Sequence, residues 1–334
     1  MTLSPMDRAV ELALLGPAHG PNPRVGCVIV GTDSAVLAEG FHRGAGTLHA
    51  EADALAIANA HGVSVAGATA YVTLEPCNHT GRTGPCAVAL AEAGIARVVY
   101  AVGDPNPTAS GGAEYLRGRG VDVALEPNDD AARANRRWLV AMARSRPYVI
   151  AKWAATLDGR TAAADGTSFW ITGEEARAHV HEVRATVDAI IVGTGTVITD
   201  DPELSARPHG VDAPHQPLRI VVGERETPGA TVWRDANAER VADRDPSVGL
   251  AKAWERECRI VLVEGGATVT TAFLRAGLVD EIHAYVAPAI LGAGASAVSD
   301  LGIGTMAGAL RGKDVTVTRL GADTLVTAIL SEGP

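Results

Sequence analysis

His49-Ala50-Glu51 and Pro76-Cys77-Asn78-His79-Thr80-Gly81-Arg82-Thr83-Gly84-Pro85-Cys86 are the stretches on which the fold turns. A histidine nitrogen and two thiolates suit a tetrahedral Zn²⁺ with one coordination position left open. An open position is where a catalytic site keeps a water that loses a proton near neutral pH. Glu51, close to the imidazole, can carry protons without ligating the metal. Cys86 opens a helical stretch, where backbone N–H groups and the helix dipole favour a thiolate. Singly, each residue has a plainer reading, as a satisfied polar histidine or a small core cysteine. The four together, at these separations, favour the metal. His79 reads as a loop residue rather than a fourth ligand. Cys27 reads as core filler and Cys258 as an incidental surface residue.

Working outward, Ser4-Pro5-Met6-Asp7 supplies an N-cap serine, a proline at the first helical position and an acid behind it, so a helix runs from Pro5 to Leu15. Strands are expected at Val25–Val30, Val36–Glu39, Thr69–Leu74, Arg97–Val102 and Val121–Leu125, with helices at Ala50–Ala60 and Ala87–Ala93. That alternation predicts a layered α/β domain with helices on both faces of a sheet. The polar, arginine-rich stretch Asn128–Arg146 precedes a new strand at Tyr148–Ala154. The boundary is placed there, giving domains 1–146 and 147–334. Further strands are expected at Ala189–Val192, Leu218–Val222, Ile260–Val263, Ile282–Val286, Val315–Leu320 and Leu325–Leu330. Arg207–Pro217 and Arg225–Pro246 read as loops.

The chain has 334 residues, enough for two domains, and a formal charge of −10. Such an acidic chain is a poor partner for a phosphate backbone, and neither half is basic, so nucleic-acid binding is disfavoured. No apolar run spans a bilayer, and Met1–Gly20 does not read as a secretory signal. Four cysteines in this length make no disulfide framework. A reduced, cytoplasmic compartment is expected.

The H-x-E, P-C and second-cysteine pattern is that of zinc deaminases, with the usual C-x-x-C gap widened to eight residues. Three motifs make the resemblance specific. They are Pro21-Asn22-Pro23-Arg24-Val25-Gly26-Cys27-Val28, Phe41-His42 leading to His49-Ala50-Glu51, and Pro76–Cys86 with its Gly81-Arg82-Thr83 insertion. Together they resemble the deaminase half of the bifunctional riboflavin-biosynthesis deaminase/reductase family. One departure is Gly84, where that family usually has proline. The resemblance implies a cytidine-deaminase-like, three-layer α/β/α domain followed by a dihydrofolate-reductase-like α/β domain. It also implies that His49, Cys77 and Cys86 hold one Zn²⁺ per chain and that Glu51 is catalytic. Asn22, His42, Arg82, Asp104 and Asn106 would contact the deaminase substrate, with Arg82 supplying a cation for its phosphate.

In the second half the residues alone say less. Gly193-Thr194-Gly195-Thr196 and Glu264-Gly265-Gly266 each follow a strand, where glycine allows backbone to approach a phosphate. No G-x-G-x-x-G fingerprint is present, which argues against an ordinary Rossmann domain. The run Lys152-Trp153-Ala154-Ala155-Thr156-Leu157-Asp158-Gly159-Arg160 is similar to the start of the family's reductase domain. Ser168–Thr172, Arg184, Val192–Thr196, Thr199–Pro202 with Leu204 and Arg207, and Glu264–Gly266 continue the likeness in order. It implies that Ala154, Trp170, Thr196, Asp200 and Gly266 through Ala272, including Ala267 and Thr268, line NADPH. Lys152, Ser168, Arg184, Leu204, Arg207 and Glu264 would line the ribosyl phosphate substrate. Trp170 could equally be a core or interface aromatic, and Asp158 a turn acid. Gly223-Glu224 stands where the family usually shows Asp-Ser.

The implied activity is two successive reactions. Zinc-dependent hydrolysis first deaminates 2,5-diamino-6-ribosylamino-4(3H)-pyrimidinone 5′-phosphate. NADPH then reduces the ribosyl group to ribityl, giving 5-amino-6-ribitylamino-uracil 5′-phosphate. The family also implies a homodimer or larger assembly. Two rivals stand beside this reading: a nucleotide or nucleic-acid cytidine- or adenosine-type deaminase with a non-reductase appendage, and a non-catalytic zinc module. The charge disfavours nucleic acid, and the three-ligand set beside Glu51 disfavours a structural zinc, which usually has four protein ligands.

Overall fold

The structure is a computed structural model, and it describes residues 3–79 and 84–330. The chain divides into two units, Met1–Ala143 and Arg144–Pro334.

In the first unit, Ser4 caps α1 (Pro5–Leu14), its hydroxyl accepting the Asp7 N–H at 3.1 Å. Five strands follow: β1 (Gly26–Val30), β2 (Val36–Phe41), β3 (Thr69–Val72), β4 (Arg97–Tyr100) and β5 (Asp122–Leu125). They form one sheet in the order β2-β1-β3-β4-β5. β1 runs antiparallel to both neighbours, whereas β3, β4 and β5 are parallel. All five residues of β1 are buried because both faces of the sheet are covered. Cys27 and Ile29 pack with α2 (Ala50–Ala60), α3 (Cys86–Glu92) and α4 (Gly112–Gly118), and Val28 and Val30 pack against α1. This is the expected three-layer α/β/α arrangement.

The polar, arginine-rich stretch ahead of the boundary, for which no element was expected, is a helix, α5 (Asp129–Arg144). Its buried stripe is thin: Ala131, Asn135, Trp138, Val140 and Ala141. Two of its anchors are polar. The Asn135 amide exchanges hydrogen bonds with the Arg24 backbone, and the Trp138 indole donates to the Pro21 carbonyl. These hydrogen bonds add to an amphipathic face, on which Ala131, Asn135, Trp138 and Met142 recur at three- and four-residue spacing, while the arginines and acids between them keep the stretch polar on average.

The second unit carries an eight-stranded sheet. Its elements are β6 (Tyr148–Thr156), β7 (Arg160–Ala162), α6 (Glu174–Arg184), β8 (Ala189–Gly193), α7 (Thr194–Asp200), β9 (Leu218–Val222), β10 (Ala238–Val241), α8 (Pro246–Glu255), β11 (Ile260–Val263), α9 (Ala267–Arg275), β12 (Glu281–Ala287), β13 (Ala295–Ser296), β14 (Lys313–Leu320) and β15 (Asp323–Ile329). The order is β10-β9-β8-β11-β6-β12-β15-β14, parallel from β10 to β12 and antiparallel beyond. The near-continuous apolar runs of β8, β9 and β11 match strands covered on both faces. Two expectations fail here. The stretch Arg225–Pro246 is not all loop, because β10 pairs along β9 as an edge strand. Its sequence, Ala238-Glu239-Arg240-Val241, is half polar because only one side has a neighbour. Cys258 is buried in the core rather than at the surface, closing the turn after α8 with its N–H bonded to the Ala253 carbonyl.

Gly40 lets α2 lie directly on β2. A Cβ there would collide with the Ala50 carbonyl and the Ala54 N–H. Gly40→Ala is expected to cost about 1–3 kcal/mol, read as a lower urea midpoint for the first unit. An unchanged midpoint would show that α2 can shift freely.

Candidate active sites

In the first unit three donors meet at the starts of two helices. His49 occupies the N-cap of α2 and Cys86 is the first residue of α3, after Pro85. Cys77 follows β3 and is locked to α3 by the Ala87 N–H, which donates to its carbonyl at 3.1 Å. The His49 Nδ1 lies 3.6 Å from the Cys77 Sγ and 3.4 Å from the Cys86 Sγ, and the three donor atoms lie within 4.8 Å of one another. Zinc–nitrogen and zinc–sulfur bonds at tetrahedral angles demand N–S separations of about 3.5 Å. The donor set therefore fits Zn²⁺ by distance as well as by chemistry.

The electrostatics agree. The neighbouring Cys86 thiol, His49 and the Cys86 N–H, which donates to the Cys77 Sγ at 3.4 Å, hold the Cys77 thiol down at about 4. Cys86 is pushed the other way by the charge it faces on Cys77 and by its burial, so the pair shares one proton until a cation replaces it. The Cys77 contact raises His49. Burial, and then the Cys77 thiolate, push the Glu51 carboxyl up to about 7. Glu51 is buried in the first turn of α2, two residues from His49.

Asn22 and His42 join the same site. The His42 Nδ1 donates to the Leu48 carbonyl at 3.0 Å, which leaves Nε2 to accept from the Asn22 amide at 2.9 Å. The His42 ring stands edge-on to His49 with centroids 5.3 Å apart. Asp104 and Asn106 form one turn, the Asn106 N–H donating to the Asp104 carboxylate at 2.8 Å. That turn abuts the Cys77 loop through the Asn78 N–H, bonded to the Ala109 carbonyl. Burial raises Asp104 to about 6. Arg82 lies outside the described residues.

Sequence reasoning missed Glu75. Its carboxylate receives the Asp104 and Ala113 N–H groups and so ties the Asp104 turn and α4 to the residue before Pro76-Cys77. An acid at the end of a strand just ahead of Pro-Cys was the available signal. Asp53 was also missed. It takes the Phe41 N–H and pairs with Arg43, fixing α2 against β2.

In the second unit the predicted residues separate into two groups. Lys152 on β6, Arg184 on α6 and Glu264 after β11 come together. Arg184 grips Glu264 through two bonds of 2.7 and 2.9 Å, and the Lys152 Nζ lies 3.4 Å from the same carboxylate. Burial alone would raise Glu264, but the Arg184 and Lys152 charges hold it at about 2. Lys152 also stands 5.8 Å over the Tyr285 ring, whose hydroxyl bonds His179 at 2.8 Å, a pair sequence reasoning did not single out. Leu204 is buried nearby in sequence to Ser205, whose carbonyl takes a bond from Arg184. Arg207 pairs with Glu203 one turn away.

Thr196, Asp200, Gly266, Ala267 and Thr268 line a cleft of about 500 Å³ outside the carboxyl ends of β8, β9 and β11. Gly193 and Gly223 close its floor, and a Cβ on Gly223 would press on the Thr194 hydroxyl at 2.8 Å. Backbone and hydroxyls facing an open cleft suit the phosphates of a nucleotide cofactor. Ala154 and Trp170 are not in its wall. Trp170 is no core aromatic either: it is 70% exposed, with the Arg177 guanidinium 4.5 Å over its ring. Ser168 shares its loop between β7 and α6. Asp158 is a turn acid, accepting the Thr156 hydroxyl and the N–H groups of Leu291 and Gly292.

Two family models match the chain. Residues 3–102 match the cytidine and deoxycytidylate deaminase zinc-binding region, and residues 147–326 match the RibD C-terminal domain. The riboflavin biosynthesis protein RibD of Mycobacterium tuberculosis (strain ATCC 25618 / H37Rv) is 45% identical, covering 92% of this chain and 91% of that protein. The protein of the same name from Escherichia coli (strain K12) is 38% identical over 95% and 96% of the two chains. Among solved structures, Acinetobacter baumannii RibD superposes with a TM-score of 0.86 at 39% identity, covering 98% of each chain. A Thermotoga maritima diaminohydroxyphosphoribosylaminopyrimidine deaminase/5-amino-6-(5-phosphoribosylamino)uracil reductase gives 0.84 at 32% identity, again over 98% of each. With both halves matched in order and nearly the whole length covered, the chain belongs to the RibD family of riboflavin biosynthesis proteins.

Proposed function

We propose that this chain catalyses two successive steps of riboflavin biosynthesis. It deaminates 2,5-diamino-6-ribosylamino-4(3H)-pyrimidinone 5′-phosphate and then reduces the ribosyl group to ribityl. The observation that carries the reading is the His49–Cys77–Cys86 triad at zinc-ligand separations with Glu51 buried beside it. Residues 1–146 are assigned the deaminase and 147–334 the reductase.

His49, Cys77 and Cys86 would hold one Zn²⁺, which when bound polarises the attacking water. Glu51 takes a proton from the water that adds to the ring carbon, passes it to the ring nitrogen and then to the leaving amine, so ammonia departs and oxygen remains. A carboxyl held at about 7 can both accept and return a proton at neutral pH. Asn22, fixed by His42, offers an amide to read the pyrimidine edge. The Asp104–Asn106 turn contacts the substrate, and Arg82 is assigned its phosphate.

In the second unit NADPH, when bound, supplies the hydrogen and electron pair that the reduction adds at C1′ of the ring-opened sugar. Thr196, Asp200 and Gly266–Thr268 hold it in the cleft; Ala154 and Trp170, outside the cleft wall, are assigned to the cofactor on the family likeness alone. The ionised Glu264 holds Lys152 and Arg184 in place. Lys152 has donors left to bind the sugar oxygen freed on ring opening. Ser168, Leu204 and Arg207 complete the substrate wall. No helix of the described residues is long and apolar enough to cross a membrane. We place the enzyme in the cytoplasm and infer a homodimer or larger assembly, the assembly supported by the exposed Val315 and Val317 on the edge strand β14.

Product mass tests the reading. Without cofactor the substrate should exchange one amine for oxygen; two hydrogens should be added only with NADPH. Glu51→Gln should lower deamination by about 10²–10⁴-fold while zinc by elemental analysis and reduction of the deaminated intermediate are retained. Zinc lost from that variant would contradict a proton-carrying role.

A second expectation concerns Glu264. Its folded pKa is depressed, so its stabilisation is present above the unfolded value of about 4.3 and is lost only as the pH falls toward 2. Glu264→Gln strands two cations and should cost about 3–5 kcal/mol, equally at pH 5 and pH 8, by urea unfolding. A deficit that vanished at pH 5 would mean that Glu264 is already protonated there.

A further inference from the structure

The cleft of the second unit has two ends with different chemistry. Gly266 in its wall follows Glu264 by two residues, so the Lys152–Arg184–Glu264 cluster, itself outside the lining, marks the side toward β6 and β11. If a nicotinamide dinucleotide fills the cleft, as proposed above, its reacting ring must lie toward that side. Its adenosine then reaches outward across β8 to the carboxyl ends of β9 and β10. The residues lining that outer end are Gly223, Glu224 and Arg225 after β9, and Asp243 and Arg244 after β10.

Two arginines therefore face the adenosine end from adjacent strands. Arg225 bends back over Gly195, its Nη2 standing 3.1 Å from where a Cβ at that position would be, so the missing side chain is what admits the guanidinium. Arg225 is exposed and has no ion-pair partner among the described residues. Arg244 holds Glu224 at 2.9 Å in a pair open to water. Exposed pairs of this kind contribute little, so a stronger anion can displace the carboxylate. Asp243 caps the turn ahead of α8, accepting the Asp245 N–H at 2.8 Å. Asp200 sits on α7, where burial raises it.

In Rossmann domains, a different fold, an acid at the end of a strand beside the cofactor commonly accepts the ribose 2′-hydroxyl and favours the unphosphorylated cofactor, whereas an arginine accommodates a 2′-phosphate; the same charge logic applies to the end of β9. Glu224 alone would suggest the first outcome. In this chain that acid is held by Arg244, and a second arginine follows it directly. We propose that Arg225 and Arg244 form the 2′-phosphate site of the cofactor and set its preference for NADPH over NADH. Glu224 holds Arg244 in position and competes with the phosphate. A phosphomonoester is close to a dianion at neutral pH and offers oxygens to both guanidinium forks.

The test uses the full-length, zinc-loaded chain and calorimetric titration with two fragments, adenosine 2′,5′-bisphosphate and adenosine 5′-monophosphate, alongside NADPH and NADH. The wild type should bind the bisphosphate at least about tenfold more tightly than the monophosphate, a gap that narrows as salt is raised. Arg225→Ala should weaken the bisphosphate about 10–100-fold and the monophosphate less than about threefold. Arg244→Ala should act in the same direction, and Glu224→Gln should tighten the bisphosphate. Equal binding of the two fragments by the wild type would overturn the proposal. So would an equal loss of both in Arg225→Ala, which marks a merely structural arginine, or loss of NADH binding in Glu224→Gln, which marks a ribose-reading acid. If neither dinucleotide binds, the cofactor reading of the cleft falls and this proposal with it. If both bind without discrimination, only the proposal falls.

Discussion

Two thiols crowded beside an imidazole, with all three donor atoms within 4.8 Å, repel each other once both are ionised, and the first unit is built to keep them there. Held thiolates need either a proton or a cation between them. The scaffold supplies neither flexibility nor a second acceptor. Cys77 is tied through its carbonyl to α3 and through its sulfur to the Cys86 N–H. The residue before it, Pro76, lies so close to α4 that a Cβ on Gly112 would collide with the Pro76 carbonyl. Glu75 then draws the start of α4 and the Asp104 turn to the same point. The ligand geometry is thus set by backbone packing that exists independently of the metal, which is how a site keeps one coordination position open.

The same topological rule places both sites. Parallel strands leave their carboxyl ends pointing at one edge, and the loops there are free to carry chemistry because the strands behind them are rigid. In the first unit, Cys77 follows β3 and Asp104 follows β4. In the second, the turns after β8, β9, β10 and β11 supply Thr196, Arg225, Arg244 and Glu264. The antiparallel strands of each sheet carry little of this. β2 contributes through the loop to His49, and β14 and β15 extend the sheet away from the cleft.

How much of this the residues announce depends on how local the signal is. His49, Glu51, Cys77 and Cys86 are legible because a metal needs particular atoms and the chain supplies them in two short runs. The strands β8, β9 and β11 are legible because burial on both faces leaves almost no polar residue. α5 was not, since its arginines and acids make the stretch polar on average and mask the amphipathic spacing of Ala131, Asn135, Trp138 and Met142. β10 was hidden by its edge position. Cys258 was misjudged because the charges beside it in sequence, Arg256, Glu257 and Arg259, say nothing of the core beneath it. Arg225 and Arg244 look like ordinary loop arginines until Gly195 is seen to make room for one and Glu224 to hold the other.

Glu51 and Glu264 carry the comparison between the two chemistries furthest. Both are glutamates and both are buried, so desolvation raises each. Their neighbours decide the outcome. Glu51 faces a thiolate and rises to about 7, where a carboxyl can exchange protons at neutral pH. Glu264 faces Arg184 and Lys152 and falls to about 2, where it never exchanges one. Hydrolytic deamination must move protons between water, ring and leaving amine, and it needs an acid poised near neutrality. Reduction takes its hydrogen from the cofactor and needs fixed charge to hold an open-chain sugar in place. The two halves solve these opposite requirements with one side-chain type, distinguished by the sign of the charge set against it.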